Sequence, residues 1–469
     1  MNSVKMIKLK HKKELRLPAR ASLWYLFASG AAKCAGLFFT PVFTRIMPAD
    51  EYGYYTLYIS ILALASVVTT AAASGGVMYK GYAKFGEDKA SFTAASLGLS
   101  IALIPPVAII ILIFRERLGI NAALIPILAL QLVCDGAIAA KSSEKRYSYQ
   151  YVAVVALTLT GSVLSPLLSL ALIKVMRGSY ARIFGLLAVS LLCAVPILSE
   201  CVRTGFFKKE MWGFAIRYSL PLLPNAAAAA VISQADKLII SSYMGEGALA
   251  SYAVAHSIGI GLTFITTSLG SALHPWIIRK LDANKDGLVE EILTKIFISI
   301  ASVAVIVVAL SPEALSILTP RSYSVALPAV LPITLSTLPT FILSALAVIS
   351  LHEGKAYYPS ISSAVGAVIN IAANVFLIPR MSYLGAGLAL LISYAAATLL
   401  CYALNKIHGT KLFSLSRFAL IFAIAFLFSA AAKGFYDSLT LRLILVLAPV
   451  TVLVTTLWKM RGHILEARG

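Results

Sequence analysis

Lys33 stands near the middle of a long apolar run. It lies about eleven residues, roughly 16 Å of helical rise, past Ser22. No acid sits one turn away on either side. A cation at that depth is hard to snorkel to water, so it faces a cavity or pairs with an acid on another helix. Asp236 and Lys237 are adjacent, about two turns before Gly245. Neighbours on a helix point in different directions. The pair therefore suits a lock between helices, or a gate whose partners change between states. Asp135 falls within two turns of the end of an apolar run at 119–140, with Lys141 and Lys145 following. That order predicts an interfacial charge pair. Glu200 and Arg217 read as charges at the ends of other runs.

Neutral polar residues form three stripes. His256, Gly259, Thr263, Thr267, Gly270 and His274 recur at spacings of 3, 4, 4, 3 and 4, one face of a helix. Ser363, Gly366, Asn370 and Asn374 repeat the pattern, as do Thr158, Ser162, Ser165 and Ser169. Small and hydroxylated faces pack membrane helices closely, and for any one stripe packing is sufficient reason. Three together exceed what packing needs. Asn, Thr and His in a wet cavity would hydrogen-bond the hydroxyls of a polar cargo, and Asn225, just after Pro221 and Pro224, joins that set. His256 is also of a type that titrates near neutral pH.

Other chemistries are missing. The five cysteines (Cys34, Cys134, Cys193, Cys201, Cys401) have no metal-type spacing and read as small buried hydrophobes. Asp282-Ala283-Asn284-Lys285-Asp286-Gly287 imitates the first half of a calcium loop, but the twelfth position is Leu293 where a bidentate Glu is required. No metal is expected. There is no Walker A lysine motif, so no ATP hydrolysis and no cofactor are expected. Any driving force comes from an ion gradient, the membrane potential or substrate supply.

The elements that must position these residues are long and apolar. About fourteen runs, each able to cross a hydrocarbon core of roughly 30 Å as a helix, alternate with short charged loops. They are continuous, not alternating, so helices rather than a barrel are expected. Composition agrees: 59% hydrophobic, 13% charged, mean hydropathy +0.87. The spans use nearly all of the 469 residues, which leaves no room for a soluble catalytic domain and predicts a transporter rather than an enzyme. The net charge of +20 is explained by the positive-inside bias rather than by nucleic acid. Roughly 28 of the 40 Lys and Arg fall on the side of the N-terminus, which predicts both termini in the cytoplasm. Residues 1–20 hold seven of these cations and run straight into the first span, so they read as a topology determinant that also holds anionic headgroups. Pro105-Pro106, Pro166, Pro221, Pro224, Pro328, Pro332 and Pro339 predict bent spans.

Residues 43–61 and 240–258 align at a constant offset, matching Met47 with Met244, Tyr55 with Tyr252, Ser60 with Ser257 and Ile61 with Ile258. Each match lies at the turn between the first and second spans of a six-span unit. Six is even, so the halves share one orientation, a known transporter plan with the substrate between the halves. The reading is an all-α membrane protein: a basic segment 1–20, a six-helix lobe 21–205, a second lobe 206–405, and two more helices with a basic tail at 406–469.

The stretch Thr44-Arg45-Ile46-Met47-Pro48-Ala49-Asp50-Glu51-Tyr52-Gly53-Tyr54-Tyr55 resembles a turn motif of the polysaccharide-transporter family. Gln234-Ala235-Asp236-Lys237, running on to Gly245, is similar to that family's Q-x-D-K signature. Ala250-Ser251-Tyr252-Ala253-Val254-Ala255 follows, with Ala250 where Gly is usual. These are flippases of the O-antigen (Wzx-like) type, in the superfamily that also holds multidrug exporters. The resemblance implies that a polyprenyl-diphosphate-linked glycan crosses a bacterial inner membrane for surface polysaccharide such as O-antigen in lipopolysaccharide. It implies Lys33 at the diphosphate, the lipid tail in a groove lined by spans 13 and 14, and a polysaccharide polymerase and chain-length proteins as partners. A cation-coupled drug exporter would want an acid deep in the first half, where none is expected at mid-span. A lipid II flippase differs in substrate alone, although more cations than Lys33 are expected along its first span. A membrane-embedded glycosyltransferase would want a large external loop, and every such loop is short.

Overall fold

The structure, a computed structural model, describes residues 24–466 apart from 26, 74, 87, 411 and 412. The basic segment 1–20 lies outside the described residues. The chain forms two compact units, Met1–Ala227 and Ala228–Gly469. Among the described residues there is no strand.

The first unit holds α1 over 27–46, then α2 (Ala49–Thr69), α3 (Gly75–Lys84), α4 (Lys89–Ala102), α5 (Ile104–Ile113), α6 (Arg115–Leu118), α7 (Ile125–Tyr147), α8 (Tyr151–Leu159), α9 (Ser165–Leu172), α10 (Gly178–Thr204) and α11 (Lys209–Ser219). Three of the prolines sit where a missing N–H costs least, while Pro196 lies inside α10. Pro105-Pro106 open α5 after a break at Leu103, and Pro166 opens α9 after a π-helical turn at Thr160–Leu164. Glycine is demanded at Gly81, where a Cβ would lie 2.0 Å from the Phe92 ring. That close approach seats Phe92 among Tyr82, Phe85 and Phe214, with centroids 5.4 to 5.9 Å apart.

The first unit ends within α12 (Leu223–Met244), and the second holds the rest of that helix with α13 (Glu246–Ile260), α14 (Leu262–Asp282), α15 (Asp286–Ala309), α16 (Ser311–Leu318), α17 (Val330–His352), α18 (Tyr357–Ile407), α19 (Leu415–Gly434) and α20 (Leu439–Glu466). Its pillars are α15 and the stretch Arg321–His352, with 67% and 78% of their apolar windows buried. For α19 and α20 the figures are 22% and 17%, so these two helices form the periphery of the unit. Phe297 of α15 joins the layers, 6.3 Å from Phe341 and 5.0 Å from Phe418 between ring centroids.

Ten helical stretches among the described residues are long and apolar enough to span a membrane, and twelve if each of two bent pairs is one span. The 51-residue α18 is two arms, because Ser382 takes φ 51° and ψ −130°. Gly385 confirms the reversal: its Cβ would lie 2.4 Å from the Leu377 carbonyl oxygen, although eight residues of straight helix cover about 12 Å. The two arms of α18 stand where two of the fourteen spans expected from the sequence lie, and α1 stands where the first is expected. The bend of 57° between α11 and α12 falls at Leu220–Leu222, around Pro221.

The peripheral hairpin α19–α20 is anchored at one end by Arg442. Its guanidinium donates to both Glu313 carboxylate oxygens at 2.6 Å, to the Ala309 carbonyl at 2.7 Å and to the Phe435 carbonyl at 3.1 Å. Arg442→Ala is expected to cost about 3 kcal/mol, because Glu313 and two carbonyls lose their donors together. Thermal unfolding of the purified protein checks this, and an unchanged melting temperature would refute it. The hydrogen bond from Arg442 holds the Glu313 carboxyl below its ordinary value of 4.5. Its contribution is therefore full above that value and is lost as pH falls through the lowered one. Wild type and Glu313→Gln should converge in melting temperature as the medium is acidified from above 4.5 through that lowered value.

Candidate functional site

Lys33 is exposed on α1, in the first unit. The turn that follows α1 carries the first family-like motif, and three of its residues, Glu51, Tyr54 and Tyr55, have a physical task. Glu51 Oε2 accepts the Ser179 amide N–H at 3.2 Å, placing a negative group at the N-terminus of α10 where backbone donors and the helix dipole favour it. Gly178 permits this, since a Cβ there would sit 2.8 Å from Glu51 Oε2. Tyr54 Oη accepts the Asn121 amide N–H at 3.0 Å. Tyr55 and Phe43 stack against Arg182, whose Cζ lies 4.3 and 3.9 Å from their ring centroids. Three motif residues thus weld the ends of α2, α7 and α10.

Asp135 keeps its place within two turns of the end of the apolar run, although α7 continues beyond that run to Tyr147 and makes Asp135 the eleventh of 23 helical residues. The expected pair with Lys141 is not formed. Lys141 instead reaches Glu200 at 2.8 Å and Glu144 at 3.1 Å. Asp135 Oδ1 accepts a hydrogen bond from Gln131 Nε2 at 2.8 Å, and the same amide nitrogen donates to Ser190 Oγ at 2.9 Å. The apolar run ended the sequence-based span at residue 140, but charged residues 141–147 extend the helix without lipid.

In the second unit, α12 and α13 meet through a buried acid. Asp236 is fully buried; its Oδ2 accepts the Tyr252 hydroxyl at 2.5 Å, and its Oδ1 accepts the Lys237 amide N–H at 2.8 Å. His256, one turn beyond Tyr252, brings Nε2 to 3.9 Å from Asp236 Oδ2. That distance is too long for a hydrogen bond, and this buried nitrogen has no other partner. Lys237 turns away, donating to Gln234 Oε1 at 2.8 Å and to the Ser233 carbonyl at 3.1 Å. The Q-x-D-K pattern is therefore two devices: Gln-Lys along one helix, and Asp across to its neighbour.

The stripe expected along span 8 is broken. α13 ends at Ile260 and α14 begins at Leu262, so His256 and Gly259 lie on one helix and Thr263, Thr267, Gly270 and His274 on another. A helical period read across a break is not a face. His256 is buried, Thr263 half-buried and Thr267 exposed. Asn370 and Asn374 are both fully buried, and Asn374 Nδ2 donates to the Asn370 carbonyl at 2.9 Å and to its Oδ1 at 3.0 Å. Asn225 is exposed. Among the described residues no cluster of His, Cys, Asp and Glu is arranged to hold a metal ion.

Sequence reasoning missed Tyr252, Gln131, Arg182 and Arg442 as partners. Tyr252 had a signal, its match with Tyr55 across the repeat. Each of these two tyrosines holds a charged side chain, Asp236 in one unit and Arg182 in the other.

An apolar cavity of about 280 Å³ opens among α15, α19 and α20, lined by Ala301, Val305, Ile421, Phe428 and Pro449 among others.

Comparison with solved structures shows the fold. A lipid II flippase, MurJ, in an inward closed conformation, superposes with a TM-score of 0.73 at 15% identity, covering 94% of this chain and 99% of that one. An inward-facing multidrug-resistance transporter of the MATE family in the MOP superfamily gives 0.55 at 13%, covering 84% and 97%. An outward-facing one gives 0.53 at 14%, covering 84% and 95%. No curated protein matches the chain. Residues 42–328 match the family described as polysaccharide biosynthesis protein, a stretch that includes both motifs and more than half of the chain. This multi-pass membrane protein belongs to the polysaccharide biosynthesis protein family.

Proposed function

We propose that this chain is a flippase that moves a polyprenyl-diphosphate-linked oligosaccharide from the cytoplasmic to the outer leaflet by alternating access. The glycan serves a surface polysaccharide, O-antigen, capsule or exopolysaccharide. Family membership carries this reading: a polysaccharide-biosynthesis chain that is almost entirely membrane span has transport, not sugar chemistry, to contribute. The charge bias supports an inner-membrane orientation with both termini cytoplasmic. We assign Lys33 to the diphosphate, and Asn225, Thr263 and Thr267 to the glycan. His256, Asn370 and Asn374 complete that set in states where they leave their buried contacts. Asp135, Asp236 and Lys237 are assigned to gating or to structure. The two lobes are taken as 21–205 and 206–405. The apolar cavity beside α19 and α20 has the right chemistry for a lipid tail. A polymerase and chain-length proteins would receive the product.

Lipid II is the second reading, favoured by the extent of the superposition with the lipid II flippase. The drug-exporter reading comes third, since Asp135, the acid it would use in the first unit, lies within two turns of the end of its apolar run. Deleting the gene in its host separates them. The expected result is loss of surface polysaccharide with its lipid-linked units accumulating on the inner leaflet. Accumulated lipid II with arrested growth moves the assignment to the second reading, and unchanged surface glycan with drug sensitivity overturns both.

A further inference from the structure

Arg182 is a half-buried charged side chain, the fifth residue of α10 at the start of an apolar span, and it forms no ion pair among the described residues. Phe43 and Tyr55 lie against its guanidinium at 3.9 and 4.3 Å. Contacts this short to ring centroids use the flat faces of the guanidinium and leave its in-plane N–H groups pointing past the rings. Its Nε is buried and has no acceptor. Glu51, on the same helix as Tyr55, commits Oε2 to the Ser179 amide. Cation–π contact compensates part of the cost of burying the charge but satisfies none of the five donors. The side chain is held in place by two rings on two other helices, so it is pre-organised rather than free to seek water.

We propose that Arg182 is an anion-binding residue whose guanidinium edge takes two oxygens of a phosphoryl group at the end of the first unit that the charge bias puts outside. A planar fork with donors to spare matches phosphate oxygens in a bidentate manner, as an ammonium does not. The phosphoryl group has two sources: the diphosphate of a lipid-linked cargo, which rests on the flippase reading, or a phospholipid headgroup of the outer leaflet, which does not.

The test uses the full chain in lipid nanodiscs. In phosphatidylcholine discs, farnesyl diphosphate is titrated by calorimetry; Arg182→Gln is expected to weaken binding about tenfold and Arg182→Lys about threefold. In phosphatidylglycerol discs, lipid retained by the protein is counted by native mass spectrometry. A drop confined to phosphatidylglycerol in the Gln variant supports the headgroup source, and a drop in farnesyl diphosphate affinity supports the cargo source. Should Arg182→Gln fail to fold, Phe43→Leu and Tyr55→Leu, which release the guanidinium without removing its charge, should each weaken binding about threefold. A lowered melting temperature with both ligands bound as in wild type overturns the proposal, leaving Arg182 a structural clamp. If wild type ignores farnesyl diphosphate yet retains phosphatidylglycerol through Arg182, the flippase reading suffers and this site stands. If wild type binds the diphosphate and Arg182 does not matter, the reverse holds.

Discussion

Lys33→Ala is expected to abolish glycan export while the protein remains in the membrane at wild-type abundance. A hydrogen bond to a charged group contributes about 1.5–3 kcal/mol, and the diphosphate offers two phosphates to a single lysine on α1. Losing the upper end of that range lowers affinity by roughly 150-fold, enough to stop export at cellular cargo levels. Lys33→Arg should retain part of the activity, since charge persists although the shape of the donor changes. The measurement is surface glycan against lipid-linked precursor in cells expressing each variant, with membrane abundance measured alongside. Export at the wild-type rate in Lys33→Ala would remove Lys33 from the substrate path and leave the exposed position to be explained by its other contacts.

The second large effect is expected at Asp236. Asp236→Ala takes the acceptor from the Tyr252 hydroxyl and removes the carboxylate beside His256 and Lys237, all within a packed seam between α12 and α13. Breaking a buried charged contact from one side costs about 3–5 kcal/mol, so the melting temperature of a chain of this length should fall by about 3–5 °C. Tyr252→Phe should cost less, about 1–2 kcal/mol, because Asp236 keeps the Lys237 amide. A double-mutant cycle between them should return a coupling of about 1 kcal/mol or more. Strict additivity would show that the hydroxyl and the carboxylate do not act as a unit. Asp236→Asn distinguishes lock from gate. It preserves an acceptor for Tyr252, so a pure lock tolerates it in both stability and transport. Loss of transport with stability retained, together with altered state-dependent accessibility of cysteines placed along α12, would mean that the charge itself is used.

Gln131 and Asp135 show why local reading has limits. From the chain alone, Asp135 had two lysines within reach and an apolar run ending five residues later. In the fold, Lys141 spends its charge on Glu144 and on Glu200, a residue nearly sixty positions away. Nothing in the spacing announced that α10 would bring Glu200 to that place. The stripe along span 8 failed for a different reason. A 3.6-residue period presumes an unbroken helix, and Gly261 at the junction of α13 and α14 ends that presumption.

What the sequence by itself determined is the solvent, the element type and the family. Apolar runs of spanning length can satisfy their backbone in lipid only as helices, so the number and order of spans follow from composition. Glu51, Tyr54 and Tyr55 of the turn motif sit at these offsets because each reaches a particular partner on another element, and such spacing is legible without coordinates. Tertiary structure alone decided the partners. A buried carboxylate accepts whichever donor packing brings within about 3 Å. Packing is set by side-chain volume summed over many helices, so no local pattern tells that Asp236 takes Tyr252, that Arg442 takes Glu313, or that Arg182 rests between two rings with its donors unspent.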